Sequence, residues 1–298
     1  MSEKDESSLV DVTGLSKPAD TLIKKVSGAV GGVFEPWQIK RVAKAEAEAK
    51  IIAAKADIEV TDLHRRAAHR WFEEEARRQQ NMEEITLKAA DQLDATADAR
   101  EMDDDWITNF FDKSRIVSDD EMQNLWASVL AGEANNPGSY SKRTVNFLGD
   151  LDKRDAETFV SLCRFGWIIL EFTPLVFNVD DAIYRNFGIN FSTLTHLDTI
   201  GLVQFNPLTG FIRRGLPKTI TVAYGNRPLR LEFSTEDNNE LEFGHVLLTQ
   251  TGKELARVCS ATMIPGFEDY AREKWKNHLA KAGATEQVAP ADSPPASG

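Results

Sequence analysis

The sequence predicts a mainly α-helical protein in three parts. A long N-terminal helix or helical hairpin comes first, a compact helical domain follows, and a winged-helix-like α+β module ends the chain. Three observations carry this reading. Residues 37–93 are rich in Ala, Glu, Lys and Arg and hold no Gly or Pro, a composition that favours one long helix or a hairpin of two. Residues 99–170 carry apolar side chains at helical spacing between turn signals. Residues 191–259 alternate helix, glycine, strand, hairpin, strand and helix, the order of a winged helix.

The ends of the chain are polar. Residues 1–17 are small, charged and aperiodic, and 282–298 are rich in Pro, Ala and Ser; both read as disordered. Residues 18–34 form the first periodic segment. Leu22, Ile23, Val26, Val30, Val33 and Phe34 fall on one helical face, and Pro18 suits a first turn. Gly28, Gly31 and Gly32 each weaken the helix by about 1 kcal/mol relative to Ala, so something outside the segment must stabilise it. Packing on the rest of the protein, a second subunit or a membrane surface would each serve. Over 18–98 the long helical region then carries Val42, Ala45, Ala49, Ile52 and Ala56 at steps of three and four. The stripe resumes at Val60, Leu63 and Ala67, close to a heptad with a stutter. Small residues on this seam permit close helix approach, and a partner helix is expected; the alternative is a hairpin turning near 79–82.

In the compact domain, Trp106, Ile107, Phe110 and Phe111 share one helical face. Ser118 and Glu121 have capping-box spacing ahead of a helix burying Met122, Leu125, Trp126, Val129 and Leu130. The turn NNPGS ends it. Ser141 or Lys142 opens the next helix, with Val145, Phe147, Leu148 and Leu151, and a third starts between Asp152 and Asp155. In the final module (171–281), residues 191–200 read as a helix and LVQF as a strand. ITVAYG and LRLEF read as a hairpin turning at Asn226 and Pro228, and HVLLT as a strand. Thr249 opens another helix, and a last helix spans about 267–280.

The chemistry-bearing residues form no catalytic pattern. His64, His69, His196, His245 and His278 lack zinc-ligand spacing, and His69 with Glu73 reads as a surface pair. No nucleophile elbow, phosphate loop or dinucleotide fingerprint is present. No cofactor is expected. Cys163 and Cys259 are isolated in apolar settings, which suits a reducing, cytoplasmic compartment. The net charge of −12 argues against a surface that coats nucleic acid. One local excess of positive charge stands out: Arg213, Arg214, Lys218, Arg227 and Arg230, with no acidic residue among them. These are candidate contacts to phosphates or to a protein partner. The helix that would enter a groove carries Thr193, Thr195, His196 and Asp198 but no Lys or Arg, which makes a poor base reader.

The stretch from Asp119 onward resembles the bacterial abortive-infection alpha family and a related bacterial family of unknown function. The matching residues are Asp119, Glu121, Leu125, Trp126, Ala127, Leu130 and Ala131, then Pro137, Leu148, Leu151, Asp155 and Ala156. In the last module Leu197, Gly201, Leu202, Leu248, Thr249, Gly252 and Leu255 extend the likeness. The resemblance implies a role in defence against phage and supplies no catalytic residues. The resulting expectation is a non-enzymatic interaction protein with protein partners that self-associates into a homo-oligomer. It carries no transmembrane segment. Nucleic-acid binding through the basic hairpin, and peripheral contact with the inner membrane through 22–34, are the alternatives.

Overall fold

The computed structural model describes residues 16–31, 62–259, 261–276 and 279. They divide into two compact units meeting in sequence at Leu151 and Asp152. The first is helical and the second combines helices with small antiparallel sheets, so the described chain is mixed α/β. Of the stretches expected to be disordered, 1–17 and 282–298, residues 1–15 and 282–298 lie outside the described residues, whereas Ser16 caps the first helix and Lys17 begins it.

The first unit opens with α1 (Lys17–Val30). Ser16 caps it by accepting from the Ala19 amide, Pro18 occupies its first turn, and Gly31 ends it in the left-handed conformation at φ 72°. α2 (Asp62–Ala90) is one unbroken helix. The hairpin weighed for 79–82 is therefore absent: this stretch contains no helix breaker, and Asn81, Met82 and Glu83 are buried within the helix. After a 3-10 turn (Ala99–Glu101), α3 (Asp104–Ser114) begins at Asp103, whose carboxylate accepts from the Trp106 amide at 2.6 Å. Asp103, Asp104 and Asp105 thus sit where the helix dipole favours negative charge. The expected face of Trp106, Ile107, Phe110 and Phe111 is buried.

α4 (Asp120–Asn135) is capped by Asp119, not Ser118; the Asp119 carboxylate accepts from the Met122 amide at 3.1 Å. The two residues are adjacent and both cap well, so spacing alone did not separate them. Trp126, Val129 and Leu130 are fully buried, and the Trp126 ring meets Phe110 edge-on with centroids 5.0 Å apart. Beyond α4 the turn containing Pro137 is held by Glu133. This buried carboxylate accepts from the amides of Gly138 at 2.6 Å and Tyr140 at 2.9 Å. α5 (Lys142–Gly149) starts at Ser141, as expected, and buries Val145 and Leu148.

The second unit begins with α6 (Lys153–Cys163), which the sequence reading had grouped with the helical domain. Two strands follow that apolar pattern had not revealed: β1 (Gly166–Ile169) and β2 (Glu171–Pro174), joined by Leu170 alone at φ 65°. After short α7 (Ala182–Arg185) and α8 (Phe191–Thr199) come β3 (Val203–Phe205), β4 (Phe211–Leu216), β5 (Thr219–Tyr224) and β6 (Arg227–Glu232). They are followed by β7 (Asn239–Gly244), β8 (Val246–Leu248), α9 (Gln250–Ala256) and α10 (Phe267–Trp275). The strands form a sheet in the order β2-β1-β5-β6 and two pairs, β3-β8 and β4-β7, all antiparallel.

The expected hairpin is real, but it turns at Gly225 and Asn226, and Pro228 lies inside β6 opposite Ala223. β6 is an outer strand of its sheet, where a missing amide is tolerated. That hairpin joins β1 and β2 instead of standing between β3 and β8 as a free wing. Aromatic rings fill the core: Trp167 stacks on Tyr224 at 5.2 Å and meets Trp275 edge-on at 5.1 Å, while Phe165 meets Phe267 at 4.9 Å. α10 is locked by the Trp275 indole donating to the Glu242 carbonyl at 2.8 Å.

Candidate interaction surface

The apolar face of α1 is not a free surface. Leu22, Ile23 and Val26 are buried within the first unit, and Val30 is half-buried. The helix packs on α3, the 3-10 turn and α2. Lys25 pairs with Asp104 at 2.8 Å, and the Thr108 hydroxyl donates to the Ala29 carbonyl at 3.4 Å. Burying three aliphatic side chains contributes about 1.5–3 kcal/mol each, more than enough to offset Gly28, the one glycine inside the helix. This corrects the expectation that Leu22, Ile23 and Val26 contact a membrane or a second subunit: their apolar area is already removed from water inside the chain. Val33 and Phe34 lie outside the described residues.

α2 behaves differently along its length. From Met82 on, its inward face packs against α4, and Asn81 donates to the Arg115 carbonyl at 2.9 Å. Residues 62–73 are exposed throughout. Leu63 is 65% exposed, Trp71 57% and Phe72 38%, and the Trp71 and Phe72 rings meet edge-on at 5.0 Å. At 100° per residue, Leu63, Ala67 and Trp71 point in the same direction as Met82, Ile85 and Ala89. The stripe that is buried in the second half of the helix is therefore bare in the first half. Side-chain pairs along the helix support this half: Asp62 with Arg65 and Arg66, Arg70 with Glu74 at 3.4 Å, and Arg78 with Glu75 at 3.1 Å. Such exposed pairs contribute only about 0.3–0.5 kcal/mol each. Of the predicted seam, Leu63 and Ala67 lie here and are exposed; Val42, Ala45, Ala49, Ile52, Ala56 and Val60 lie outside the described residues. Trp71 and Phe72 were not singled out from the sequence. Their four-residue step from Ala67 and Ala68 was the signal that could have found them.

In the second unit the basic residues spread over two sheets. Arg213 and Arg214 lie on β4, Lys218 between β4 and β5, and Arg227 and Arg230 on β6. Arg214 pairs with Glu240 of β7 at 3.0 Å, and Lys218 pairs with Glu236. The acidic run that follows the basic one in sequence thus folds back on it, because β7 pairs with β4. On α8, His196 lies 2.8 Å from Asp155 of α6, so this helix faces a carboxylate. Arg227 also borders an open groove of about 610 Å³ lined by Tyr224, Met263, Ile264, Glu268 and Arg272. The Arg272 guanidinium is held by Glu268 at 2.7 Å. Burial raises the Tyr224 phenol, which donates to the Arg164 carbonyl at 2.8 Å and accepts from the Ile264 amide at 2.7 Å. Both bonds are structural.

Among the described residues no helix is long and apolar enough to cross a membrane, and no group of three or more His, Cys, Asp or Glu could hold a metal ion. A family model described as a protein of unknown function (DUF2806) matches residues 65–271. The match runs through α2 and both units and leaves α1 outside. No curated protein and no solved structure matches the chain.

Proposed function

The chain belongs to the DUF2806 family of proteins of unknown function, and from that premise we propose that it is a non-enzymatic interaction protein that self-associates through the first half of α2. The observation that carries this reading is the bare stripe of Leu63, Ala67 and Trp71, collinear with the buried stripe of the same helix. An exposed apolar stripe of this kind marks a contact surface, and its small residue at Ala67 suits a second helix at close range. A second copy is the occupant of choice because it offers the identical stripe, with the Arg and Glu pattern of residues 70–78 on its flanks. Light scattering on a sizing column tests the reading. The wild-type chain runs as a dimer or larger, and Leu63→Glu with Trp71→Glu runs as a folded monomer; a wild-type chain that stays monomeric at high concentration sinks the idea.

The resemblance of residues 119–156 and 197–255 to the abortive-infection alpha family supports placing this assembly in defence against phage, with further protein partners. A second reading takes α8, β3, β8 and α9 as a winged-helix-like core that binds nucleic acid through Arg213, Arg227 and Arg230. These three are exposed and make no ion pair within the second unit among its described residues. The pairing of Arg214 and Lys218 with carboxylates, and Asp155 beside His196, weigh against it. Binding at low salt that is lost in Arg213→Glu with Arg227→Glu would favour nucleic acid over the first reading.

A further inference from the structure

The two cysteines of the chain are about 100 residues apart in sequence and meet in the second unit. Cys163 is the last residue of α6 and is buried; Cys259 lies just past α9 and is half-buried. Cys259 is near enough to Cys163 to perturb its ionisation, and the Cys259 thiol donates to the Leu255 carbonyl at 3.4 Å. Both line a small cavity of about 130 Å³, together with Arg164, Phe172, Gly225 and Met263. Tyr224 and Met263 also border the larger groove, so the two spaces share a wall. Ordinary core cysteines are scattered singly and shielded; here both cysteines of the chain line one cavity.

We propose that Cys163 and Cys259 are a thiol pair that a small hydroperoxide converts reversibly into an intramolecular disulfide. The half-buried Cys259 reacts first. Its thiol gives up a proton, the thiolate sulfur attacks a peroxide oxygen, the O–O bond breaks, and the displaced hydroxide takes up that proton and leaves as water, giving a sulfenic acid at Cys259. The Cys163 sulfur then attacks the Cys259 sulfur. The S–O bond breaks, and the Cys163 proton leaves with the hydroxyl as a second water. Two thiols and one hydrogen peroxide become one disulfide and two waters, so the peroxide takes both electrons. Burial raises the Cys163 thiol well above its ordinary range, which keeps it protonated and inert until a sulfenic acid forms beside it. The bond ties the end of α6 to the end of α9 across a long loop, and a reductant reverses it.

The test uses the full chain treated with a small excess of hydrogen peroxide and then quenched. The expected product is monomeric in covalent terms and about 2 Da lighter, with neither cysteine open to alkylation after denaturation; dithiothreitol restores both thiols. Its melting temperature rises by at least about 5 °C over the reduced chain, since the loop closed is long. Cys259→Ser keeps a small polar group at the half-buried position, loses the mass change of about 2 Da and leaves Cys163 open to alkylation after denaturation. A wild-type chain that gains oxygen at Cys259 in steps of about 16 Da, with Cys163 still alkylated, overturns the proposal. So does a product cross-linked only between chains.

Discussion

Glu133 shows how a single side chain organises the first unit. Its carboxylate is buried and accepts two backbone amides, those of Gly138 and Tyr140, across the turn that ends α4. The Tyr140 carbonyl in turn accepts from the Trp106 indole at 2.7 Å, so the turn is connected to the aromatic core. Removing the carboxylate leaves the buried Tyr140 amide without its acceptor, a loss of about 1–3 kcal/mol, whereas Gly138 is exposed and its amide can turn to water. Glu133→Ala is expected to cost about 1–3 kcal/mol in urea unfolding, and Glu133→Gln about half as much because one oxygen remains. The resemblance motifs have the same character at this scale. Thr249 caps α9 by accepting from the Gly252 amide at 3.1 Å and donates to the Gly201 carbonyl at 2.7 Å. A Cβ at Gly252 would sit 2.1 Å from the Leu202 carbonyl oxygen. Gly201, Leu202, Thr249 and Gly252 are thus one packing unit. They were legible as a group from sequence because close approach and capping restrict residue type, and for that reason they speak of fold more than of activity.

Elements whose signal is local were read correctly, and elements defined by their partners were not. α3, α5 and α8 show their apolar face and cap in consecutive residues, and the structure places them where the spacing does. β1 and β2 were missed because their turn is Leu170 at φ 65°, a residue that gives no turn signal and is strained in that region. β4 was missed because FIRRGL alternates poorly; its strand character comes from β7, which supplies Glu240 to Arg214. For α2 the composition indicates helix but not which half packs, since that depends on the contacts that α4 makes at Glu84 and Lys88 in the second half. The exposed half leads to a quantitative expectation. Burying Trp71 and Leu63 from both copies removes aromatic and aliphatic area at the centre of a contact, where single truncations cost about 2 kcal/mol or more. Leu63→Ala with Trp71→Ala should weaken self-association at least about 100-fold, measured by sedimentation across a concentration series. Unfolding of the monomer should move little, because these side chains touch solvent in the chain by itself.

The described residues form two compact units, and the boundary between them lies earlier than helical periodicity places it. The sequence reading placed it at 170, after the last apolar helix; the compact units divide at Leu151 and Asp152. The physical reason lies in α6. Its inward residues Phe159, Leu162 and Cys163 are buried, and the helix packs with α8, where Asp155 meets His196. Periodicity identifies such a helix but is blind to the core it joins. Each unit holds about 150 residues, a size at which a single core suffices for independent folding. Fragments separate the two boundaries. A chain of residues 152–298 should unfold cooperatively and keep the near-ultraviolet signal of Trp167 stacked on Tyr224. A chain of residues 171–298 loses α6, β1 and the Phe165 and Trp167 rings, which between them contact Tyr184, Tyr224, Phe267 and Trp275. It should show a loosely packed state without a cooperative transition. If the shorter fragment melts cooperatively at the temperature of the longer one, the second unit begins at 171 and α6 belongs with the helices before it.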